Sequence, residues 1–238
     1  MLAEMPADWR RALAVVAHPD DLEYGGSGAI ARWTDEGRSV TYVLATRGEA
    51  GIDGMAPEEA GPLREREQIA SAAVVGVHDV EFLDHPDGVV EYGLPLRKDI
   101  AAAIRRHKPE LVVMTNHHPT WDGSFLNMAD HRHAGLATLD AVRDAANRWV
   151  FRELLADGLE PWSGVRWVAV SGSPQPTHAV DITSTMDRAV DSLREHRAYL
   201  AALEGPMSEP DGFLREFAAE TGRRFGSEFA CSFELIPM

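Results

Sequence analysis

The sequence predicts an α/β fold built on a mainly parallel sheet, and three observations predict it. Short apolar runs alternate with longer segments of helical period along the chain. Several of these runs are nearly continuous, as strands covered on both faces require. With 238 residues, 45% of them hydrophobic, the chain is long enough to bury about three quarters of its unfolded surface. The span 1–238 is expected to form a single domain.

The expected strands are 11–17, 40–46, 80–83, 111–115 and 165–171. The first reads Arg-Ala-Leu-Ala-Val-Val-Ala and the fourth Leu-Val-Val-Met-Thr, both rich in β-branched and apolar residues. Helical patterns fill the gaps at 29–35, 62–75, 96–106 and 132–147. Pro62 suits a first helical turn and Gly76 a C-terminal stop, so the second of these helices is expected to start at Pro62. A fifth helix is expected at 185–203, where Met186, Val190, Leu193, Leu200 and Leu203 share a stripe. The turn-rich stretch 48–61 reads as a loop following a strand.

Twenty-three basic residues face 38 acidic ones, a net charge of −15. Such a chain has no cationic surplus for phosphates, so neither nucleic acid nor an anionic membrane is expected as partner. A small molecule that is neutral or weakly charged fits better, and a homo-oligomer is compatible with the sequence. The first ten residues carry Glu4, Asp8 and Arg10 and do not read as a signal peptide, which makes the cytoplasm the expected location. Cys231 is the single cysteine, so neither an internal disulfide nor a thiolate metal cage can form. Ten histidines remain as the unusual resource.

The first strand ends in His18-Pro19-Asp20-Asp21, with Glu23 close behind. Ligands of open α/β sheets bind at the carboxyl ends of strands, and clustered acids there need a cation or hydrogen bonds to offset them. His18 and Asp21 suit a divalent ion, leaving Asp20 beside it as a base. The plainer reading is a solvated acidic turn with Asp21 as a helix cap. Gly26-Ser-Gly28 lacks the third glycine of a dinucleotide-binding turn, and the adjoining acids would repel a pyrophosphate. A second cluster follows the fourth strand: His117-His118, then Asp130-His131-Arg132-His133 where the next helix begins, with Asp130 as its expected cap.

These residues resemble the LmbE-like, or PIG-L, family of metal-dependent N-deacetylases, which act on N-acetylglucosaminyl conjugates. Ala17-His18-Pro19-Asp20-Asp21-Leu22-Glu23 is close to the family's first signature, and Asp130-His131-Arg132 is similar to half of its His-Pro-Asp-His-Arg motif. Weaker likeness lies in Thr46–Glu49, Leu63–Glu67, Phe82–Gly88 and His178–Ile182, all in the family's order. The resemblance implies a Rossmann-like three-layer sandwich and a zinc or other divalent ion on His18, Asp21 and His131. It also implies Asp20 as general base and Arg64 facing the sugar of an amino-sugar conjugate. Asp87 is expected to accept from a substrate hydroxyl; His85 is not expected to be a ligand, and His196 is expected to be buried and structural.

Met128 stands where the family often has a histidine, and methionine cannot donate to an oxyanion. His178 is the expected substitute, with His118 and then His133 behind it, and Asp130 is expected to orient the pocket. Two other functions compete: a non-haem iron oxygenase, whose two-histidine, one-carboxylate triad belongs with all-β barrels, and a metal-retaining carbohydrate binder with little turnover.

Overall fold

The computed structural model describes residues Met1–Met238. Eight strands form one sheet: β1 (Ala3–Glu4), β2 (Arg11–Val16), β3 (Ser39–Leu44), β4 (Asp79–Phe82), β5 (Leu111–Thr115), β6 (Trp167–Ser171), β7 (His178–Asp181) and β8 (Ala230–Pro237). Their order is β1-β7-β8-β6-β5-β2-β3-β4. Only β8 runs antiparallel to its neighbours, β6 and β7. The expected α/β sandwich with a mainly parallel sheet is therefore present, and each of the five expected strands is in it.

Alternation along β2 explains the layers. Ala12, Ala14 and Val16 point into one core cluster, Leu13 and Val15 into another, as a strand covered on both faces demands. The first core is closed by α1 (Ser27–Asp35), α2 (Pro57–Val74), α6 (Met186–Arg194) and α8 (Pro210–Phe225), through Ile30, Ala72, Val190 and Leu214 among others. The second is closed by α3 (Leu94–His107), α4 (Ala129–Ala146) and the short α5 (Glu153–Ala156), through Ile100, Ala141 and Leu154. From β2 the chain builds outward to β3 and β4, then returns to lay β5 on the other side of β2. That reversal is a topological switch point, and the loops after β2 and β5 meet there.

Three local expectations change. Helix α2 begins at Pro57, not Pro62: the earlier proline already takes the first-turn position, Glu58 and Glu59 follow it, and Pro62 falls inside the helix. The segment 57–61 is thus helix, and the loop ends earlier. The helix expected at 185–203 breaks at His196, whose ψ of 54° is not helical, and resumes as α7 (Arg197–Ala202). A buried acceptor from another helix holds the break open, because the Ala198 N–H donates to Glu67 Oε1 at 2.6 Å. Finally, Asp130 does not cap α4. Met128 occupies that place without a side-chain bond, and Asp130 sits in the first turn with its carboxylate turned elsewhere.

Candidate metal centre

The turn after β2 folds onto its own carboxylate. Asp21 Oδ2 accepts from the backbone N–H groups of Ala17 and His18, both at 2.9 Å. Its other oxygen, Oδ1, lies 2.9 Å from His131 Nε2 and 3.8 Å from His18 Nδ1. These two ring nitrogens are 3.2 Å apart. A tetrahedral ion with bonds of about 2.0–2.1 Å needs ligand atoms about 3.3 Å apart, close to the spacing found.

Both histidines have their far nitrogens engaged in a way that fixes the near ones. Asn127 Nδ2 donates to the carbonyls of Asn116 and His118, so its Oδ1 must face His131 Nδ1, 3.0 Å away, and accept from it. His131 Nε2 is then left with a lone pair. His18 Nε2 lies 3.2 Å from Asp130 Oδ2 and 3.0 Å from Asp87 Oδ1, two acceptors, so it carries the proton and Nδ1 is free. Two lone pairs and a carboxylate oxygen therefore converge on one point. Only a cation offsets such a set, and carboxylate-backed imidazoles are the usual second layer of a metal site. Asp130 is itself held by the N–H groups of Gly88 and Val90, and Asp87 by that of Ala50.

Charge balance points the same way. Asp20, Asp21, Asp87 and Asp130 crowd the site against one guanidinium, that of Arg64. Burial opposes a proton on His18, yet its bonds to Asp130, Asp21 and Asp87 raise its pKa well above the ordinary histidine value. Burial also opposes the charged form of Asp21, but His131 and His18 hold it well below the usual carboxylate range. Without a metal, a proton is drawn into the place a cation would take.

Asp20 stands apart from this triad. Its φ of +92° is rare for a residue with a side chain, and its carboxylate is not among the atoms that converge as ligands. Burial pushes its pKa up, while the Arg64 charge opposes that rise. Arg64 is 2% exposed, donates from Nη2 to Asp20 Oδ1 at 3.0 Å and to the Pro19 carbonyl at 2.6 Å, and from Nη1 to the Gly48 carbonyl at 3.1 Å. A side chain at Gly48, which has a φ of +64°, would collide with that guanidinium. Tyr199 packs its ring 4.1 Å from the Arg64 charge centre, and its phenol is pushed up by burial and by Asp20.

The family described as PIG-L: GlcNAc-PI de-N-acetylase matches residues 13–142, more than half of the chain. The chain belongs to the PIG-L family. Among PIG-L relatives, it is 31% identical to a diacetylchitobiose deacetylase of Thermococcus kodakarensis, over 97% of this chain and 84% of that one. The solved structure of the N,N'-diacetylchitobiose deacetylase from Pyrococcus horikoshii superposes with a TM-score of 0.87 at 26% identity, covering 97% and 85% of the two chains. The 4-carboxy-2-hydroxymuconate hydratase GalB of Pseudomonas putida KT2440 superposes with a TM-score of 0.76 at 20% identity, covering 95% of this chain and 96% of that one. Its different chemistry shows that the fold alone does not choose the reaction.

Within this PIG-L chain the structure gathers His18, Asp20, Asp21, Arg64, Asp87, Asp130 and His131 at the switch point. It does not bring His178 there. The antiparallel strand β8 and then β6 lie between β7 and β5, so His178 is about 14 Å from β5 at the usual strand spacing. Its Nδ1 meets Thr177, and burial lowers its pKa, the wrong direction for a protonated donor. His118 Nε2 bonds Glu234 at 2.7 Å, and His133 Nδ1 bonds the Val90 carbonyl at 2.6 Å. Asp87 Oδ1 faces His18 Nε2 at 3.0 Å, and its Oδ2 accepts from the Ala50 N–H at 2.8 Å. His85 bonds Asp99, away from the triad, and no helix is long and apolar enough to cross a membrane. Sequence reasoning missed Asn127, although it stands four residues before His131 on the same helix-entry face. It also missed Tyr199 and Gln68, for which no local signal exists.

Proposed function

We infer that this protein is a zinc-dependent hydrolase that removes an N-acyl group, acetyl foremost, from an amino-sugar conjugate. The observation that carries the reading is the separation of roles around one turn: three electron-rich atoms converge on a point while the neighbouring Asp20 carboxylate is held outside that set. The deacetylase relatives supply the substrate class. His18 Nδ1, Asp21 Oδ1 and His131 Nε2 would hold the ion, which supplies Lewis acidity toward the amide carbonyl and lowers the pKa of water toward about 7. Arg64 binds Asp20 Oδ1, so Asp20 takes the water proton at Oδ2 and delivers it to the leaving amine. Asp130 and Asp87 keep the His18 ring in the tautomer that leaves Nδ1 unprotonated. Metal analysis combined with free-amine release across a panel of N-acylated sugars and sugar conjugates tests the reading. Metal-loaded protein that releases no amine from any member would overturn it.

Two smaller effects follow from the geometry. Because Arg64 is buried and grips Asp20, Arg64→Ala is expected to lower kcat by about 10- to 100-fold, the scale of a hydrogen bond to a charged group, and to change KM less. An effect on KM alone would return Arg64 to direct sugar binding, the role the family resemblance implies. Trp121 packs edge to face on His131, with ring centroids 5.5 Å apart, and remains 36% exposed. This reading makes its ring a platform for the apolar face of a sugar. Trp121→Ala is expected to raise KM about two- to tenfold with metal content unchanged. Unaltered KM would remove Trp121 from the substrate surface.

A further inference from the structure

Behind Asp20 lies a buried polar cluster that neither the metal site nor the proton transfer accounts for. Helix α2 presents Arg64, Gln68 and Ser71 on one stripe toward the turn after β2. Gln68 is 1% exposed. Its Oε1 accepts from the backbone N–H of Asp20 at 3.0 Å, and its Nε2 donates to Glu23 Oε1 at 2.9 Å. Ser71 donates to the same Glu23 oxygen at 2.8 Å. The Asp20 carbonyl in turn accepts from the N–H groups of Glu23 and Tyr24. Both peptide faces of Asp20 are thus tied, one to its own turn and the other to a side chain 48 positions away.

The chemistry at position 68 is restrictive. The Asp20 N–H needs an acceptor, and Glu23 Oε1 needs a donor. A side-chain amide offers one of each, which fixes its orientation. Glutamate there would set a second buried carboxylate against Glu23, and methionine would leave the Asp20 N–H unpaired and Glu23 Oε1 with Ser71 as its remaining donor. Asp20 needs such a hold because a left-handed conformation at a non-glycine residue is strained and persists only where its surroundings enforce it. Arg64 grips the carboxylate of Asp20; Gln68 grips its backbone.

We propose that Gln68 is a positioning residue for the reaction, holding the Asp20 backbone in the left-handed conformation from which its carboxylate reaches the substrate water. This rests on the reading of Asp20 as general base. Gln68 touches neither substrate nor ion; it acts through Asp20, so its effect must vanish when Asp20 no longer serves as a base.

The test is a double-mutant cycle on full-length, metal-loaded protein, with amine release from N,N'-diacetylchitobiose as the assay. Gln68→Met is expected to lower kcat about tenfold or more with KM and metal content within about twofold of wild type. In an Asp20→Asn background the same change is expected to alter kcat by less than about twofold. Independently of activity, the Asp20 amide proton should exchange about tenfold faster or more in Gln68→Met, since its buried acceptor is gone. Should Gln68→Met fail to fold, Gln68→Glu serves: alone it is expected to be as impaired, and combined with Glu23→Gln it regains a donor and acceptor in swapped places and recovers kcat to within about threefold. An equal loss of kcat in both backgrounds, or wild-type kcat together with wild-type amide exchange, overturns the positioning role while leaving Asp20 as base. Near-normal kcat in Asp20→Asn alone overturns both.

Discussion

His18→Ala protein is expected to purify with at least about tenfold less divalent metal than wild type, and His131→Ala with a comparable loss, while both keep the wild-type circular dichroism spectrum. The expectation follows from the convergence of His18 Nδ1, His131 Nε2 and Asp21 Oδ1. Each ligand removed leaves two donors for an ion that needs three protein contacts and an open position. Folding should survive, because the sheet is held by the cores on its two faces rather than by the turn at its edge. A pH dependence accompanies the site. The carboxylates around His18 hold its pKa well above the ordinary value, so in the metal-free protein a proton competes for His18 at higher pH than at an isolated histidine. Apparent metal affinity should therefore weaken as pH falls, in a direction that equilibrium dialysis at several pH values can read. Full metal retention in both alanine variants would remove these residues from the site.

The sequence made this centre partly legible because the groups nearest the metal lie at strand ends. The runs that became β2, β3, β5 and β6 are apolar on both faces, so their carboxyl ends, and with them His18 and Asp21, could be placed on one edge without a structure. What failed was strand order. His178 follows β6 by only a few residues and looked as if it shared that edge near the triad. The last strand of the chain, β8, inserts between β6 and β7 and carries His178 away. No local pattern encodes that insertion, because it is a pairing between segments about fifty residues apart. β1 and β7 are too short to show a period at all. The break at His196 is equally non-local: the stripe Met186 to Leu203 does describe one helix, and Glu67 on α2 overrides it. Arg64 illustrates the same limit in chemistry. Its spacing from Glu67 matches a surface ion pair, yet both are buried and turn apart, one to Asp20 and the other to Ala198.

Asp20→Asn is expected to keep its metal and lose about 10² or more in kcat, the scale for removing a positioned base. Asparagine is nearly isosteric with aspartate, so it can still accept from Arg64 Nη2 through Oδ1 and keep its backbone N–H on Gln68. What it cannot do is take a proton. The substitution therefore separates charge and basicity from shape, which Asp20→Ala would confound by leaving Arg64 buried without its partner. If Asp20 were instead a ligand, the Asn variant would lose metal along with activity; its carboxylate bonded to Arg64 and its absence from the converging set predict the opposite. If it served only to neutralise Arg64, the variant would lose stability and keep kcat, since an uncompensated buried guanidinium weakens the fold without touching proton transfer. Metal content, melting temperature and kcat measured on one preparation distinguish the three. The base assignment requires a large fall in kcat with metal retained and the variant folded at the assay temperature, and a near-normal kcat would reject it.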